Sequence, residues 1–321
     1  MPDGPCLHDE KDLMVRATFD PAALQAALGA FGPAPAAAAD YVAFYALPGA
    51  DRAEHFMGLL AAPSGAVAAQ LFAPSAPRGT LVAIHGLFDH AGLWRHYVHW
   101  ALGRGLAVLL IDLPGHGLSE GARAHVEDFA TYRAASCAVM DALGLELPRP
   151  WIGLGHSTGA AVLMDALHRA ELDLDDLWLL APLVRAAAHR AGRWLLPLVG
   201  LLRSELPRGD YGNTLDAEFN AFRNADPLQP PALPLEWVHA ARAWSDEFVA
   251  RPRSTRSPLV VQGERDRTVA WRENLEHLRA LFTEPEIALL PGAGHNLMNE
   301  RADHRAEVLA RLDARLGAAP G

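Results

Sequence analysis

The sequence predicts an α/β fold, a mostly parallel sheet with helices on both faces and a helical cap inserted late in the chain. The first observation is an alternation. Short apolar runs lie at Thr80 to His85, Leu106 to Asp112, Trp151 to Gly155, Leu177 to Ala181, Leu259 to Gly263 and Ile287 to Leu290, each bounded by Gly, Pro or a charge. Between most of them lie amphipathic stretches such as Asp128 to Leu143, Gly159 to Ala170, Trp271 to Phe282 and Arg301 to Leu316. Runs buried on both faces and separated by helices indicate parallel strands. The second observation is a gap. About 77 residues separate Ala181 from Pro258 with no strand-like run between them, too long for a structureless loop in a compact domain, so roughly Leu183 to Trp244 should hold helices of its own.

Ahead of the alternation, residues 1 to 50 are rich in Ala, Pro and Gly, and 31–39 in particular reads as a flexible or loosely packed lead-in. A short helix is expected around Pro21 to Leu28. His55 to Ala61 and Val67 to Phe72 flank Pro63-Ser-Gly65, a hairpin signal that predicts an antiparallel start to the sheet. The expected division is an N-terminal extension over 1–50, a core in two parts over 51–182 and 245–321, and the cap over 183–244.

A chain of 321 residues, half of them apolar and 21% charged, is long enough for one large core and has the balance of a folded protein. The net charge of −10 leaves no basic field to gather phosphates, which argues against a nucleic-acid partner. Lys11 is the only lysine, so nearly all the positive charge is arginine. Cys6 in a polar tail and Cys137 in a helix-like stretch make no disulfide framework, and a reducing cytoplasm fits that usage. Met1 to Arg16 is polar and acidic, without the apolar centre of a secretory signal. The longest apolar run, Trp194 to Leu202, contains Pro197 and falls far short of the ~20 residues that a spanning helix needs. It could at most touch a membrane surface.

The strongest chemical signal is Gly155-His-Ser-Thr-Gly159, which follows one apolar run and opens a helical stretch. Strand, G-x-S-x-G, helix is the setting of a nucleophile elbow, in which two glycines allow a tight turn that lifts the serine hydroxyl above the sheet. A serine hydroxyl needs a base within hydrogen-bond reach, and that base needs an orienting acid. Asp266 directly follows the run Pro258 to Gln262 and His295 directly follows Ile287 to Leu290, so both fall at strand ends on the same sheet edge as Ser157. Glu264, two residues nearer the strand, competes for the acid. His156 is expected to point away along the elbow.

The oxyanion formed in acyl transfer needs fixed donors. Thr158, next to the nucleophile, supplies one backbone N–H, and the turn after Thr80 to Ile84 should supply the other from Leu87. Gly86 lets that backbone approach closely, and Gly86, Phe88 and Asp89 are candidates for substrate binding. His96 and His99 have an i, i+3 spacing that could suit a metal, but no nearby Cys, Asp or Glu completes a site, so no metal is expected. His116 reads as a turn residue. Trp237 and Trp244, seven apart, read as cap core.

At this point the residues resemble a known family. His85-Gly-Leu-Phe-Asp-His-Ala-Gly92, Asp112-Leu-Pro-Gly-His-Gly-Leu-Ser-Glu-Gly121, Gly155-His-Ser-Thr-Gly159, Asn224-Ala-Asp-Pro-Leu228, Gln262-Gly-Glu-Arg-Asp266 and Gly292-Ala-Gly-His295 look like the monoglyceride lipase and lysophospholipase branch of the α/β-hydrolases. The likeness runs from about residue 54 to the end. It implies an α/β-hydrolase fold with a helical cap over an acyl tunnel, no cofactor, and cleavage of carboxylic esters of single-chain lipids such as monoacylglycerols or lysophospholipids. It also implies Leu87 and Thr158 as oxyanion donors, Asp266 rather than Glu264 as the acid, and a cap that ends shortly after Leu228.

Two departures stand out. Asp89-His-Ala-Gly-Leu-Trp94 replaces the Glu-His-x-Gly-Arg-Tyr usual in monoglyceride lipases, and Leu93 offers none of an arginine's hydrogen bonds to a glycerol headgroup. The elbow reads Thr158-Gly-Ala160 rather than Met-Gly-Gly, which leaves nucleophile and backbone donor in place. The run Trp194 to Leu202 suits a tunnel lining or a membrane-touching lid, and equally a helix packed on the core. The same triad would serve thioester, lactone or amide hydrolysis. A non-catalytic relative binding a small ligand under its cap is the third reading, which loss of a triad residue would favour.

Overall fold

The computed structural model describes residues 18–187, 189, 203–208 and 213–318. In chain order its strands are β1 (Gly32–Pro33), β2 (Glu54–Ala62), β3 (Gly65–Ala73), β4 (Thr80–Ile84), β5 (Ala107–Ile111), β6 (Trp151–His156), β7 (Asp176–Leu180), β8 (Glu205–Pro207), β9 (Ala232–Pro234), β10 (Leu259–Gly263) and β11 (Glu286–Leu290). The helices that matter for the site are α1 (Pro21–Ala27), α2 (Ala38–Phe44), α3 (Arg95–Leu102), α4 (Ala130–Leu143), α5 (Thr158–His168), α6 (Ala217–Ala225), α7 (Leu235–Phe248), α8 (Trp271–Leu281) and α9 (Ala302–Ala318).

Nine strands form one sheet in the order β1-β2-β3-β5-β4-β6-β7-β10-β11. The first four neighbours pair antiparallel, and from β5 to β11 every pair is parallel. This is the α/β-hydrolase fold. Successive side chains of a strand leave opposite faces of the sheet, and the central strands divide accordingly. Leu81 and Ala83 of β4 enter one core with Tyr97 and Val98 of α3 and Val308 and Leu312 of α9. Val82 and Ile84 enter the other, with Tyr132 of α4, Val162 of α5, Leu275 of α8 and Trp244 of α7. Both faces are covered, so β4 and β5 are buried along their whole length. Burial contributes about 1.5–3 kcal/mol for each Val or Leu taken wholly out of water. Because the strands run parallel, the turns after β4, β6, β10 and β11 meet at one edge.

Within 31–39 only Ala38 is buried, as the loose character of that stretch predicts, but the segments on either side of it are anchored. Asp20 caps α1 by accepting hydrogen bonds from Ala22 and Ala23 N–H, with Pro21 at the first helical position. Tyr41 and Tyr45 of the next segment are wholly buried, and with Phe19 and Phe44 they build an edge-on aromatic cluster against the main core. The Tyr41 hydroxyl accepts from Gln70 Nε2 at 2.9 Å, and the Tyr45 hydroxyl donates to Asp226 Oδ1 at 2.7 Å. Alanine-rich composition hides this, because the anchoring is done by three or four large side chains. Removing the Tyr45 hydroxyl leaves Asp226 Oδ1 with the Leu228 N–H alone. Tyr45→Phe should therefore cost about 1–2 kcal/mol. A urea midpoint equal to that of the parent protein would show that this tie adds nothing.

The interval expected to be purely helical also holds a strand pair. β8 and β9 form a two-stranded antiparallel ribbon, each strand three residues long and carrying a proline, too short to leave a periodic signature. α6 and α7 follow, and α7 continues to Phe248, through the expected junction at 244. Trp237 and Trp244 of α7 are both buried, with Trp244 stacked on Phe129 at 4.7 Å. The apolar run Trp194 to Leu202 and Cys6 lie outside the described residues. Among the described residues no helix is long and apolar enough to cross a membrane.

Candidate active site

Ser157 sits between β6 and α5 with φ 51° and ψ −109°, a conformation that side chains rarely adopt and that a rigid surround must impose. The flanking glycines explain how the surround closes in. A Cβ at Gly155 would stand 2.5 Å from the Ala160 backbone, and one at Gly159 would stand 2.0 Å from the Ile84 carbonyl oxygen. Only glycine fits either position, and the turn tips the serine side chain out of the sheet.

The three residues nominated for chemistry meet at this edge. His295 Nε2 lies 3.0 Å from Ser157 Oγ, and His295 Nδ1 lies 2.7 Å from Asp266 Oδ2. Asp266 is itself held on both oxygens. Oδ1 accepts from the N–H groups of Thr268 and Val269, and Oδ2 accepts from Gln262 Nε2 at 3.0 Å. Burial alone would raise this carboxyl, but the adjacent His295 and these donors outweigh it and hold it below the usual carboxylate range. An ionised Asp266 keeps the His295 proton on Nδ1 and turns the Nε2 lone pair toward the serine hydroxyl. Glu264, the competing acid, is exposed.

Thr158 begins α5, where the first-turn N–H groups have no partner within the helix and the positive end of the dipole lies. Leu87 and Thr158 both line a cavity around the serine, and among the described residues neither backbone N–H donates within the protein. Phe88 and Asp89 line the same cavity, Phe88 with φ 66°. Gly86 is placed differently from the expectation. It is not among the described lining residues, and a Cβ there would meet His156 Nδ1 at 2.9 Å and Ser157 Cβ at 3.2 Å. The glycine leaves room for the His156 ring and the Ser157 side chain to pack against this turn.

His156 does not point away along the elbow. Its Nε2 donates to the His295 carbonyl oxygen at 3.1 Å and its Nδ1 lies 3.2 Å from Asp89 Oδ2, so it joins the turn after β4 to the loop carrying the base. That loop has further ties that sequence reasoning missed. The N–H groups of His295 and Asn296 both donate to the Asn213 carbonyl. Glu300, fully buried, accepts from Gly294 N–H at 2.9 Å and from Leu215 N–H. On the other side, His90 Nε2 lies 2.8 Å from Asp226 Oδ2, with both side chains out of solvent. None of these partners has a pattern that marks it in one sequence, although His90 and Asp226 both fall within stretches that carry the family likeness.

The cavity measures about 690 Å³. Leu183, Val184, Leu206, Leu233, Trp237 and Val238 give it an apolar wall beside Ser157 and His295, the combination of greasy lining and few polar groups that small-molecule sites share. Leu93 is buried in the main core and is not among the described lining residues. Among those residues no group of three or more His, Cys, Asp or Glu is placed to hold a metal ion. His96 Nε2 accepts instead from Arg95, and His99 Nε2 lies 3.1 Å from the Ala46 carbonyl.

Comparison with known proteins bears on the family and the fold. The family model described as serine aminopeptidase S33 matches residues 75–302. The chain is similar to a monoacylglycerol lipase of Mycolicibacterium smegmatis, with 28% identity over 235 residues, 70% of this chain and 83% of that protein. It is also similar to mouse monoglyceride lipase, with 28% identity over 200 residues, 60% of this chain and 66% of the mouse protein. Among solved structures, a soluble variant of monoglyceride lipase from Saccharomyces cerevisiae superposes with a TM-score of 0.67 at 14% identity, over 80% of this chain and 94% of the other. A monoacylglycerol lipase from Paleococcus ferrophilus gives 0.64 at 18% identity, over 77% and 98%. At such identities the superpositions speak for the fold.

Proposed function

The chain belongs to the serine aminopeptidase S33 family, in the monoglyceride-lipase-like branch of the α/β-hydrolases, and on that premise we propose that it cleaves single-chain, lipid-like esters through an acyl-enzyme on Ser157. It is a carboxylic ester hydrolase of the monoglyceride lipase type. Although the family description names a peptidase, the curated relatives just described are lipases. The observation that carries the finer reading is the unbroken run from Ser157 Oγ to His295 to Asp266, at 3.0 and 2.7 Å, on the wall of an apolar cavity.

In this mechanism His295 Nε2 takes the hydroxyl proton as Ser157 Oγ attacks the ester carbonyl carbon. The oxyanion that forms is received by the N–H groups of Leu87 and Thr158, each such donor being worth roughly 10²- to 10³-fold in rate. The intermediate collapses, the carbon–oxygen bond to the alcohol breaks, and His295 returns its proton to the leaving alkoxide. Water activated by the same imidazole then attacks the acyl-serine and releases the acid. Asp266 stays ionised throughout and stabilises the imidazolium. The apolar wall takes the acyl chain, at about 0.8 kcal/mol for each CH₂ buried. On this reading the cap over 183–244 covers the site, with its last helix α7 running on to Phe248 into the second part of a core that comprises 51–182 and 245–321, and 1–50 is the extension.

A fluorophosphonate probe tests the reading directly. It should add one phosphonyl mass to the peptide bearing Ser157 and abolish turnover of p-nitrophenyl esters. Labelling elsewhere with Ser157 unmodified would refute the acyl-enzyme. Thioester and lactone substrates offered to the same preparation decide whether esters are the preferred bond.

A further inference from the structure

Among the described residues, the wall of the cavity carries a charge opposite to that of the protein. The chain as a whole has 38 acidic residues against 28 basic ones. Yet Arg185, Arg208, Arg223, Arg242 and Arg267 all line the cavity around Ser157, and among the described lining residues Asp89 is the sole carboxylate. That carboxylate already faces His156 Nδ1 at 3.2 Å. A guanidinium at a partly apolar wall that makes no ion pair attracts an anion, and a low-dielectric surround strengthens that attraction.

The arginines differ in how they are held. Arg185 pairs with Asp246, which is outside the cavity, and Arg208 lies over the Phe88 ring, 5.4 Å from its centre and so beside the turn that carries Leu87. Arg242 and Arg267 make no ion pair among the described residues. The fold sets where each leaves the backbone. Arg242 shares a helical stripe of α7 with Val238 and Ser245, all three lining the cavity. Arg267 directly follows Asp266, in a turn whose next two N–H groups are bound by that carboxylate.

We infer that the preferred substrate of the Ser157 site is a single-chain ester bearing a negatively charged oxyacid group, a phosphate or a second carboxylate, which the arginines at the cavity wall receive while the apolar wall takes the chain. A planar guanidinium matches either oxyacid with two parallel hydrogen bonds. The phosphate would sit on the alcohol side of the scissile ester and the carboxylate at the far end of the acyl chain. The inference rests on the ester-hydrolase reading above and narrows its substrate class.

Two matched pairs separate the sources. Monooleoylglycerol and oleoyl lysophosphatidate differ by one phosphate, and ethyl octanoate and monoethyl suberate differ chiefly by one carboxylate. In at least one pair kcat/KM for the anionic ester should exceed that for the neutral one by about tenfold, the scale of a charged hydrogen bond. Whichever pair shows it identifies the group. Arg242→Gln and Arg267→Gln should each lower that ratio by about threefold to tenfold, mainly through KM, while Arg279→Gln, an equal charge change on the exposed side of α8, should keep it. A preference for the neutral ester in both pairs, or a ratio unmoved by both cavity substitutions, overturns the inference. If the parent protein hydrolyses no ester of either charge, the hydrolase reading falls and takes this inference with it.

Discussion

Ser157→Ala is expected to lower kcat on p-nitrophenyl esters by on the order of 10⁶ while leaving the fold intact. The magnitude follows from what remains. Oxyanion donors and the cavity still bind substrate, but His295 no longer has a hydroxyl to deprotonate, and water must attack without the geometry the elbow imposes. The fold should survive because, among the described residues, the serine hydroxyl bonds to His295 Nε2 alone, and alanine meets the same backbone conformation at φ 51° with a similar strain. Steady-state rates and a thermal melt on the same sample settle it. Near-parental turnover would eliminate the mechanism; a collapsed melt would show that the serine hydroxyl holds the elbow together.

The second large effect concerns the acid. Asp266→Asn should lower kcat by about 10⁴ with little change in KM, because an amide N–H facing His295 Nδ1 forces the proton onto Nε2 and removes the lone pair that the serine needs. The geometry would persist, since Oδ1 of the side chain can still accept from Thr268 and Val269 N–H. Glu264→Gln changes the same charge two residues earlier on an exposed side chain and should leave the rate within about twofold, as surface substitutions usually do. The reverse ranking, with Glu264→Gln crippled and Asp266→Asn active, would move the acid role to Glu264.

Much of this architecture was legible in the residues, for a physical reason. A strand buried on both faces must be apolar at nearly every position, so β4, β5, β6, β7 and β10 stand out as short greasy runs, and the turns after parallel strands necessarily share an edge. The positions of Ser157, Asp266 and His295 could be read from that rule together with the glycines of the elbow. What was not legible is the polar scaffold. Tyr45, His90 and Asp226 come together across as many as 181 positions of sequence, and Glu300 reaches back to Leu215 across 85. A buried hydrogen-bond network has no periodicity, and its members look like any loop residue until coordinates bring them together. The anchoring on either side of 31–39 was hidden for a related reason, since alanine and proline dominate the composition of the N-terminal segment while a few aromatic rings dominate its packing.

The two residues of β1 have a further meaning when the sheet is viewed from its margin. Together with Gly29, Ala30 and Ala34 they engage β2 over residues 55–59. Without them a strand of nine residues would present a bare ladder of donors and acceptors to any passing chain, the template on which proteins stack into aggregates. A segment outside the family-matched span thus acts as a hem, closing an open border that the hydrolase core alone would leave sticky.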